Sequence, residues 1–317
     1  IGKSVVAGLG TSGDVELGAK AFELSRESIQ GALKGLDVLF LVGCLGGGTA
    51  SAGVPYLAQI AKEMGIMTVI IVTSPFLFEG TRKVRLAQET LTAMKPKYDT
   101  VMVIPNDKLM NLADEKTTMM DAFTMVDCYV GHIIKAYSRL MIFQGLIPVD
   151  FQDIRKVMSI PGEGRIGYGF AEGKGKILNA FDSAMNCPLL GSKGLSGAPG
   201  VLIAIHGGEN LNLLEIYHAV RKVTELAHQD AYIVFGSTVE KERADTVEVC
   251  LIATGMQSEE LELIASGVLV KGKNKREEQA VFDLKLIDKG KFAKDEPTMY
   301  NGVDLDIPAF LRKKIGQ

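Results

Sequence analysis

The sequence lacks several features that would place it in other classes of protein. No apolar run approaches the roughly 20 residues that span a bilayer, because charged residues or glycines interrupt each candidate, so direct membrane insertion is excluded. Basic residues are not in excess, since the formal net charge is −3 at pH 7, and we expect no nucleic-acid partner. The four histidines form no H-E-x-x-H or similar ligand spacing, so we expect no metal site in the chain itself.

Cysteine is scarce as well. Cys44, Cys128, Cys187 and Cys250 lie far apart in apolar surroundings and form no C-x-x-C pair. We therefore expect reduced core residues of a cytoplasmic protein. The chain also has no initial methionine and no signal-peptide pattern, since it opens at Ile1, and we expect it to be a fragment.

What the sequence does contain is enough apolar material for a large core, because 47% of its 317 residues are hydrophobic. Its first half alternates strand-like and helix-like segments joined by short polar connections. These segments are strand Val38–Val42, helix Ala50–Met64, strand Met67–Val72, helix Thr81–Met94 and strand Val101–Ile104. Such alternation predicts an α/β fold with a parallel sheet that helices cover on both faces. In sheets of this kind, ligands bind beyond the carboxyl ends of the strands.

A long helix predicted at Met119–Phe143 precedes a change of pattern. The segments after it predict a second, smaller α/β or α+β domain. They are helix Lys176–Ala184, strand Val201–Ile205, helix Leu213–Ala227, strand Tyr232–Phe235 and strand Val247–Ala253. Beyond these, the apolar periodicity weakens and KGKNKREEQ appears, so residues 258–303 are predicted to be a linker with little core of its own.

A run of three glycines follows the first predicted strand. Gly46, Gly47 and Gly48 precede Thr49 at a predicted helix start. This arrangement presents several backbone N–H groups in a concave turn along the helix dipole, which suits a phosphate. No lysine follows the glycines, so the loop is not a Walker A loop, and Ser51 stands where a G-x-G-x-x-G motif needs its third glycine. A structural turn without a ligand remains an alternative.

A second glycine cluster, Gly8–Gly13, does match G-x-G-x-x-G. A dinucleotide site also needs an acidic residue at the end of the next strand, and here Asp37 precedes that strand instead. We therefore expect an ordinary loop at Gly8–Gly13.

Polar side chains follow the next two strands. Glu79 lies near the cation Lys83 at a helix start, where a carboxylate can accept from a ribose hydroxyl and a cation can meet phosphate charge. Asn106 follows the next strand. Phe123 and Asp127 lie four residues apart on one helix face, a pair that suits a guanine base. Taken alone, Glu79 with Lys83, and likewise Asn106, also fit an ordinary helix start. Phe123 and Asp127 alone also fit a core aromatic residue beside a surface acid.

Taken in order along the chain, the motifs resemble the bacterial cell-division GTPase family FtsZ, homologous to tubulin. The motifs are GGGT, PFLFEG, IPNDKLM, DAF followed by VD, GLIPVDFQDIRKVM, LSGAPGVLIAIHGG, ATGM and the terminal DIPAFLRKK. They cover nearly the whole chain. The resemblance implies a Rossmann-like GTPase domain with a long central helix at 1–143, a smaller C-terminal GTPase-activating domain at 144–257, and a linker and tail at 258–317.

The resemblance also implies a GTP or GDP site with Mg²⁺. The positions that match the family's nucleotide pocket are Thr11, Ser12, Gly13, Gly46, Gly47, Gly48, Thr49, Ala50, Glu79, Lys83, Asn106, Phe123 and Asp127. Among them, the glycine loops match phosphate contacts and Glu79 the ribose contact. Phe123 matches the ring packed against guanine, and Asp127 the position that binds the base.

The stretch VDFQD matches the family's synergy loop, whose two acids, here Asp150 and Asp153, act on the GTP of the next subunit. They follow the predicted long helix, so we expect them at the opposite end of the sheet from the glycine loops. There they can reach only a neighbouring subunit's γ-phosphate in a head-to-tail filament, orient a water and hold a cation. A helix N-cap at Asp150 with Asp153 in the first turn is an alternative, and the two roles are compatible.

Some departures from the family pattern bear on hydrolysis. Ala50, Ser51 and Ala52 replace the last three residues of the usual GGGTGTG signature, and their Cβ atoms narrow the backbone options and crowd a phosphate. Lys83 stands where the family commonly has a nucleotide-contacting arginine, and substitution by the neighbouring Arg82 is an alternative. Pro148 replaces an asparagine of the synergy loop, which removes an amide side chain and a backbone N–H. We expect slower hydrolysis than in a typical member.

The largest departure is at the start, because the chain begins after the strand and glycine-rich loop that open family members. We expect an open sheet edge and a nucleotide site that lacks one wall. On this interpretation, the 317-residue chain alone binds GTP poorly, whereas the complete gene product binds it.

The tail at residues 304–314 resembles the family's terminal peptide, which docks on membrane-tethering and regulatory division proteins. Its predicted anchors are Ile307, Pro308, Phe310 and Leu311, with the proline near a helix start. A segment without a partner is the alternative.

The resemblance thus implies a GTP-hydrolysing protein of the bacterial division ring that polymerises head to tail with itself, in the cytoplasm at the division site. The alternative is an FtsZ-like scaffold that polymerises or binds partners with weak or lost GTPase activity. A dinucleotide oxidoreductase is more distant, because the acid that would hold the ribose is missing.

Overall fold

The computed structural model describes residues 1–6, 8–98, 100–142, 145, 147–257, 299–300 and 303–304. Its helices are α1 (Lys3–Val6), α2 (Val15–Glu23), α3 (Arg26–Leu33), α4 (Gly48–Glu63), α5 (Thr81–Met94), α6 (Asn106–Leu109), α7 (Met119–Ile142), α8 (Phe151–Met158), α9 (Lys176–Met185) and α10 (Leu213–Leu226). Its strands are β1 (Val38–Cys44), β2 (Met67–Ser74), β3 (Thr100–Pro105), β4 (Gly162–Glu172), β5 (Gly200–Gly207), β6 (Tyr232–Val239), β7 (Thr246–Met256), β8 (Met299–Tyr300) and β9 (Val303–Asp304).

Seven of the described strands form one sheet in the order β1-β2-β3-β4-β7-β5-β6. The first four are parallel to one another, β7 runs antiparallel to both β4 and β5, and β6 is parallel to β5. All strands of this sheet except β7 therefore point the same way. We call the end at which these six strands finish the carboxyl end of the sheet, and the opposite end the amino end.

The strands predicted for a second domain continue this sheet. β3 and β4 pair from Thr100 opposite Gly162 to Met102 opposite Gly164. Residues 1–262 form one compact unit and residues 263–317 another. In the second unit, β8 and β9 form an antiparallel pair. A domain boundary at residues 143 and 144 stays a prediction.

The long helix α7 packs on one face of the sheet across both halves. Its Ile133 and Tyr137 are fully buried in a cluster that also holds Met102 of β3, Leu202 of β5 and Ile252 of β7. Full burial of one such side chain contributes about 1.5–3 kcal/mol. Helix α7 therefore holds the two halves of the sheet together.

Other helices cover the opposite face. α4 and α5 bury Val54 and Leu91 in a cluster with residues of β1, β2 and β3. α9 and α10 bury Phe181 and Val223 in a cluster with residues of β5 and β7. The predicted α/β architecture, with helices on both faces of a largely parallel sheet and a long central helix, is confirmed.

The region before β1 contains more helix than the sequence indicated, since α1, α2 and α3 were not predicted. Asp14 begins α2, because its Oδ1 accepts from the Leu17 N–H at 3.0 Å. The expected loop at Gly8–Gly13 is confirmed: three of its glycines have φ between +75° and +82°.

The expectation of four core cysteines is wrong for two of them. Cys187 and Cys250 are buried, whereas Cys44 and Cys128 are exposed. Cys44 ends β1, which within the described sheet has a neighbouring strand on one side only. Cys128 lies on a solvent-facing position of α7. None of the helices in the described parts of the chain is long and apolar enough to cross a membrane.

Candidate functional site

The glycine turn lies at the carboxyl end of the sheet, between β1 and α4. Gly46 has φ +95°, and a Cβ there would lie 2.9 Å from the Lys83 carbonyl oxygen, so the turn requires glycine. Gly47 is the N-cap of α4 and supplies no side-chain cap. The first backbone N–H groups of α4 are therefore left for an anion.

One amide of the turn is already used within the protein. The Gly46 N–H donates to the Ser51 Oγ at 3.1 Å. Ser51 and Ala52 are buried, so their side chains pack inside the fold. Their effect on a bound phosphate stays a prediction. Ala50, in contrast, lines the cleft described below. The sequence did not indicate this role for Ser51.

The loop Thr11–Gly13 is brought against the same turn. The Thr11 Oγ1 lies 3.2 Å from the Thr49 Oγ1. Ser12 has φ +48° and Gly13 φ +82°, so the loop turns through the left-handed region. Two segments that are 38 residues apart in the chain therefore meet at the start of α4.

These two loops line one cleft of about 490 Å³. One wall consists of the two loops, with Thr11, Ser12, Gly13, Gly47, Gly48, Thr49 and Ala50. The apolar wall includes Phe22, Leu41 and Val54. The structure therefore brings together the residues that the sequence assigned to phosphate contacts, except Gly46, which does not line the cleft.

Glu79, the predicted ribose contact, lies in the loop after β2. Its Oε1 accepts from the Phe76 N–H at 3.0 Å, and its Oε2 lies 3.1 Å from the Lys83 Nζ. Both oxygens of Glu79 are thus engaged within the loop. The same loop reaches the end of β3, because the Leu77 N–H donates to the Asp107 Oδ1 at 3.1 Å. Contact with a ribose hydroxyl would have to compete with these bonds.

The predicted base-side residues lie at the same end of the sheet but outside the cleft. Asn106 is buried at the end of β3, and its Oδ1 has no hydrogen-bond partner among the described residues. The Phe123 ring meets the buried Phe76 ring edge-on at 5.5 Å, and Asp127 is exposed one turn further along α7. Phe78, which the sequence interpretation did not single out, stacks on Phe76 at 4.9 Å.

The two predicted catalytic acids lie at the amino end of the sheet. Asp150 is the N-cap of α8, where its Oδ1 accepts from the Gln152 N–H at 2.8 Å. Asp153 accepts a hydrogen bond of 2.5 Å from the hydroxyl of Tyr232. Tyr232 is the first residue of β6, which points the same way as β1. The acids and the glycine turn therefore lie at opposite ends of one sheet, as expected, and the helix-cap role of Asp150 is also present.

The predicted partner-binding residues Ile307, Pro308, Phe310 and Leu311 lie outside the described residues. Their role stays a prediction.

Two family models match the chain. The GTPase domain of the Tubulin/FtsZ family matches residues 1–114. The C-terminal domain of the FtsZ family matches residues 162–257. The segment between them contains the whole of α7 and of α8.

Solved structures resemble the chain along most of its length. An empty FtsZ dimer from M. jannaschii is 36% identical with a TM-score of 0.76, over 81% of this chain and 74% of that one. A single-residue mutant of FtsZ from M. jannaschii is also 36% identical, with a TM-score of 0.75 over 81% and 76%. A GDP-bound CetZ1 monomer from Haloferax volcanii, at 22% identity and a TM-score of 0.69 over 84% and 82%, shares the fold. By its identity to FtsZ and by both domain matches, the chain belongs to the FtsZ family of the tubulin/FtsZ GTPases.

Proposed function

We propose that the protein binds and hydrolyses GTP as a filament of the bacterial division ring, with each active site completed by two subunits stacked head to tail. The observation that carries this proposal is the separation of the glycine turn from Asp150 and Asp153 at opposite ends of one sheet. Acids at the amino end cannot reach a phosphate bound by their own chain at the carboxyl end. Translating one copy along the strand direction brings the two ends together in an open filament.

Within one subunit, we assign the phosphates to the cleft and the base to the residues beside it at the same end of the sheet. The uncapped start of α4 offers N–H groups to the phosphates, and the Thr11 and Thr49 hydroxyls lie beside it. The unpartnered Oδ1 of buried Asn106 is a ready acceptor for a donor on the nucleotide, because a buried polar atom without a partner is costly. Phe123 and Asp127 offer a ring face and a carboxylate to guanine at the start of α7.

Across the interface, Asp150 and Asp153 would act on the neighbour's γ-phosphate. Carboxylates there can orient the attacking water and accept its proton, and positioning is the main contribution that proteins make to phosphoryl transfer. The described residues contain no group of three or more His, Cys, Asp or Glu side chains that could hold the proposed Mg²⁺. Mg²⁺ in nucleotide sites is usually held by one or two protein groups together with the phosphates.

Self-association is supported by the similar structures. One is described as an FtsZ dimer, and a CetZ2 from Haloferax volcanii, 21% identical, as a GTPγS-bound protofilament. Docking of the tail on membrane-tethering and regulatory proteins rests on the resemblance of residues 304–314. Location in the cytoplasm at the division site rests on the family resemblance of the whole chain.

A scaffold with weak hydrolysis is the second candidate, and particular contacts favour it. Gly46 donates its amide to Ser51, both oxygens of Glu79 are engaged, and Pro148 precedes the acids. Each feature removes a group that would otherwise serve the nucleotide or the water.

The GTPase rate of the full-length protein against protein concentration separates the two candidates. Hydrolysis in trans predicts a rate per subunit that rises steeply above the concentration at which filaments form. Asp153→Ala should abolish this rise in rate. Asp182→Ala removes an exposed acid of α9 that is paired with Lys222, and as the matched control it should leave the curve unchanged. A rate near zero at all concentrations, with filaments present, would favour the scaffold. A constant rate from the lowest concentration would contradict the two-subunit site.

A further inference from the structure

Asp153 is held by a residue from a distant part of the chain. The hydroxyl of Tyr232 donates to the Asp153 Oδ1 at 2.5 Å across 79 residues of sequence. The Lys156 Nζ lies 3.7 Å from the same oxygen and 5.6 Å from the centre of the Tyr232 ring. The three side chains therefore form one contact group at the amino end of the sheet.

The contacts fall on one oxygen of the carboxylate. Oδ1 accepts from the phenol, whereas Oδ2 makes no hydrogen bond to any described residue. Asp153 is the third residue of α8, and Asp150 fixes the start of that helix as its N-cap. The backbone and one oxygen of Asp153 are thus fixed, and the other oxygen is left for a group outside the subunit.

We propose that Tyr232 is a positioning residue for hydrolysis, which fixes the Asp153 carboxylate so that Oδ2 meets the neighbouring subunit's nucleotide and water. This inference rests on the proposed function, since it presumes that Asp153 acts across the interface. A flexible aspartate would have to lose side-chain freedom each time a neighbour docks, and the phenol removes part of that cost beforehand.

The phenol is suited to this role because it remains a donor. The hydrogen bond to Asp153 raises the pKa of Tyr232 above its ordinary value, so the hydroxyl keeps its proton in neutral solution. The pKa of Lys156 is also raised above its ordinary value, first by Tyr232 and then by the Asp153 carboxylate. An exposed ion pair at 3.7 Å orients less than a short hydrogen bond, so we assign the larger part of the positioning to the phenol.

A simpler interpretation is that Tyr232 only fastens α8 to β6. Tyr232→Phe distinguishes the two, because it keeps the ring and removes only the hydroxyl. In the full-length protein, positioning predicts that the turnover per assembled subunit falls about three- to tenfold. The GTP affinity and the concentration at which filaments form should stay unchanged. A fastening role predicts the reverse: equal turnover with a changed unfolding temperature or assembly concentration.

Two further variants sharpen the test. Tyr217→Phe removes an exposed phenol of α10 at the carboxyl end of the sheet and should leave all of these quantities unchanged. Lys156→Met removes the cation but leaves the hydrogen bond, so its loss of turnover should be smaller than that of Tyr232→Phe. Equal losses for Lys156→Met and Tyr232→Phe would overturn the assignment to the phenol.

The outcomes separate this inference from the function on which it rests. If the unmodified protein hydrolyses GTP only when assembled and Tyr232→Phe does so equally fast, the inference on Tyr232 fails and the two-subunit site stands. If the unmodified protein shows no assembly-dependent hydrolysis, the proposed function fails and the inference fails with it.

Discussion

Replacing Gly48 by alanine should pull apart the two loops that form the cleft. A Cβ at this position would lie 2.4 Å from the Asp14 carbonyl oxygen, 2.7 Å from the Asp14 nitrogen and 2.6 Å from the Thr11 Oγ1. Two of these atoms belong to the backbone, so a change of rotamer cannot relieve the overlap. Overpacking of this kind costs about 1–3 kcal/mol, and each kcal/mol lowers the unfolding midpoint by about 2–4 °C in a domain of this size.

The adjacent Gly47 offers a matched control. Its φ of −99° is open to any residue, and a Cβ there meets no atom within 4 Å. Gly47→Ala should therefore leave the unfolding midpoint unchanged. Because its Cβ enters the space that we assign to the phosphates, we expect the GTP affinity to fall about tenfold.

Thermal unfolding and equilibrium GTP titration of both variants provide the assay in the full-length protein. The expected pattern is loss of stability and of binding for Gly48→Ala, and loss of binding alone for Gly47→Ala. An unchanged midpoint for Gly48→Ala would refute the close approach of the Thr11–Asp14 loop to α4. An unchanged GTP affinity for Gly47→Ala would refute the placement of the phosphates.

Two further predictions concern stability. Thr11→Val removes the hydroxyl 3.2 Å from Thr49 and should lower the free energy of unfolding by about 1 kcal/mol together with the GTP affinity, and no change in either would contradict the contact. Burial, partly against the Tyr168 ring 3.6 Å away, lowers the pKa of His132 below its ordinary value of 6.5. The stability that neutral His132 contributes is therefore present above pH 6.5 and is lost as the pH falls from there towards the lowered pKa. His132→Phe should lose less stability than the unmodified protein between about pH 7 and about pH 5 in urea unfolding, and equal losses would contradict this account.

Elements with a regular apolar period were predictable from the sequence. The limits of α5 at Thr81–Met94 were predicted correctly, and those of α4 and α10 nearly so. In such helices the buried face repeats regularly, so the pattern and the packing agree. The carboxyl-end position of the glycine turn followed from the same reasoning.

Strand β4 was not assigned, because its glycines hide the strand pattern. A Cβ at Gly169 would lie 1.9 Å from the Ala180 carbonyl oxygen, and one at Gly167 would lie 2.2 Å from the Ala184 carbonyl oxygen. These glycines are needed because α9 packs directly on the strand backbone. These glycines are required by a tertiary contact that the sequence does not show. From sequence alone, glycine usually indicates a turn.

In the candidate site, too, some features were predictable from local sequence and others depend on contacts between distant segments. The glycine loops and the acids stood out by residue type and order. The bond from the Gly46 amide to Ser51 and the bond from Tyr232 to Asp153 depend on how segments meet in space. The exposure of Cys44 likewise depends on β1 lying at the margin of the described sheet.

Complementation between two variants, each impaired in a different half of the site and assayed at a GTP concentration that limits Gly47→Ala, tests the two-subunit site most directly. Asp153→Ala keeps the cleft but lacks one acid, and Gly47→Ala keeps both acids but binds GTP poorly. In a random equal mixture, about a quarter of the interfaces join an intact cleft to an intact pair of acids, so we expect up to about a quarter of the unmodified turnover. Asp153→Ala mixed with Asp150→Ala is the control, because neither chain then supplies both acids. Recovery in the first mixture and none in the control is the predicted result, whereas a first mixture no more active than its separate components would contradict hydrolysis between subunits.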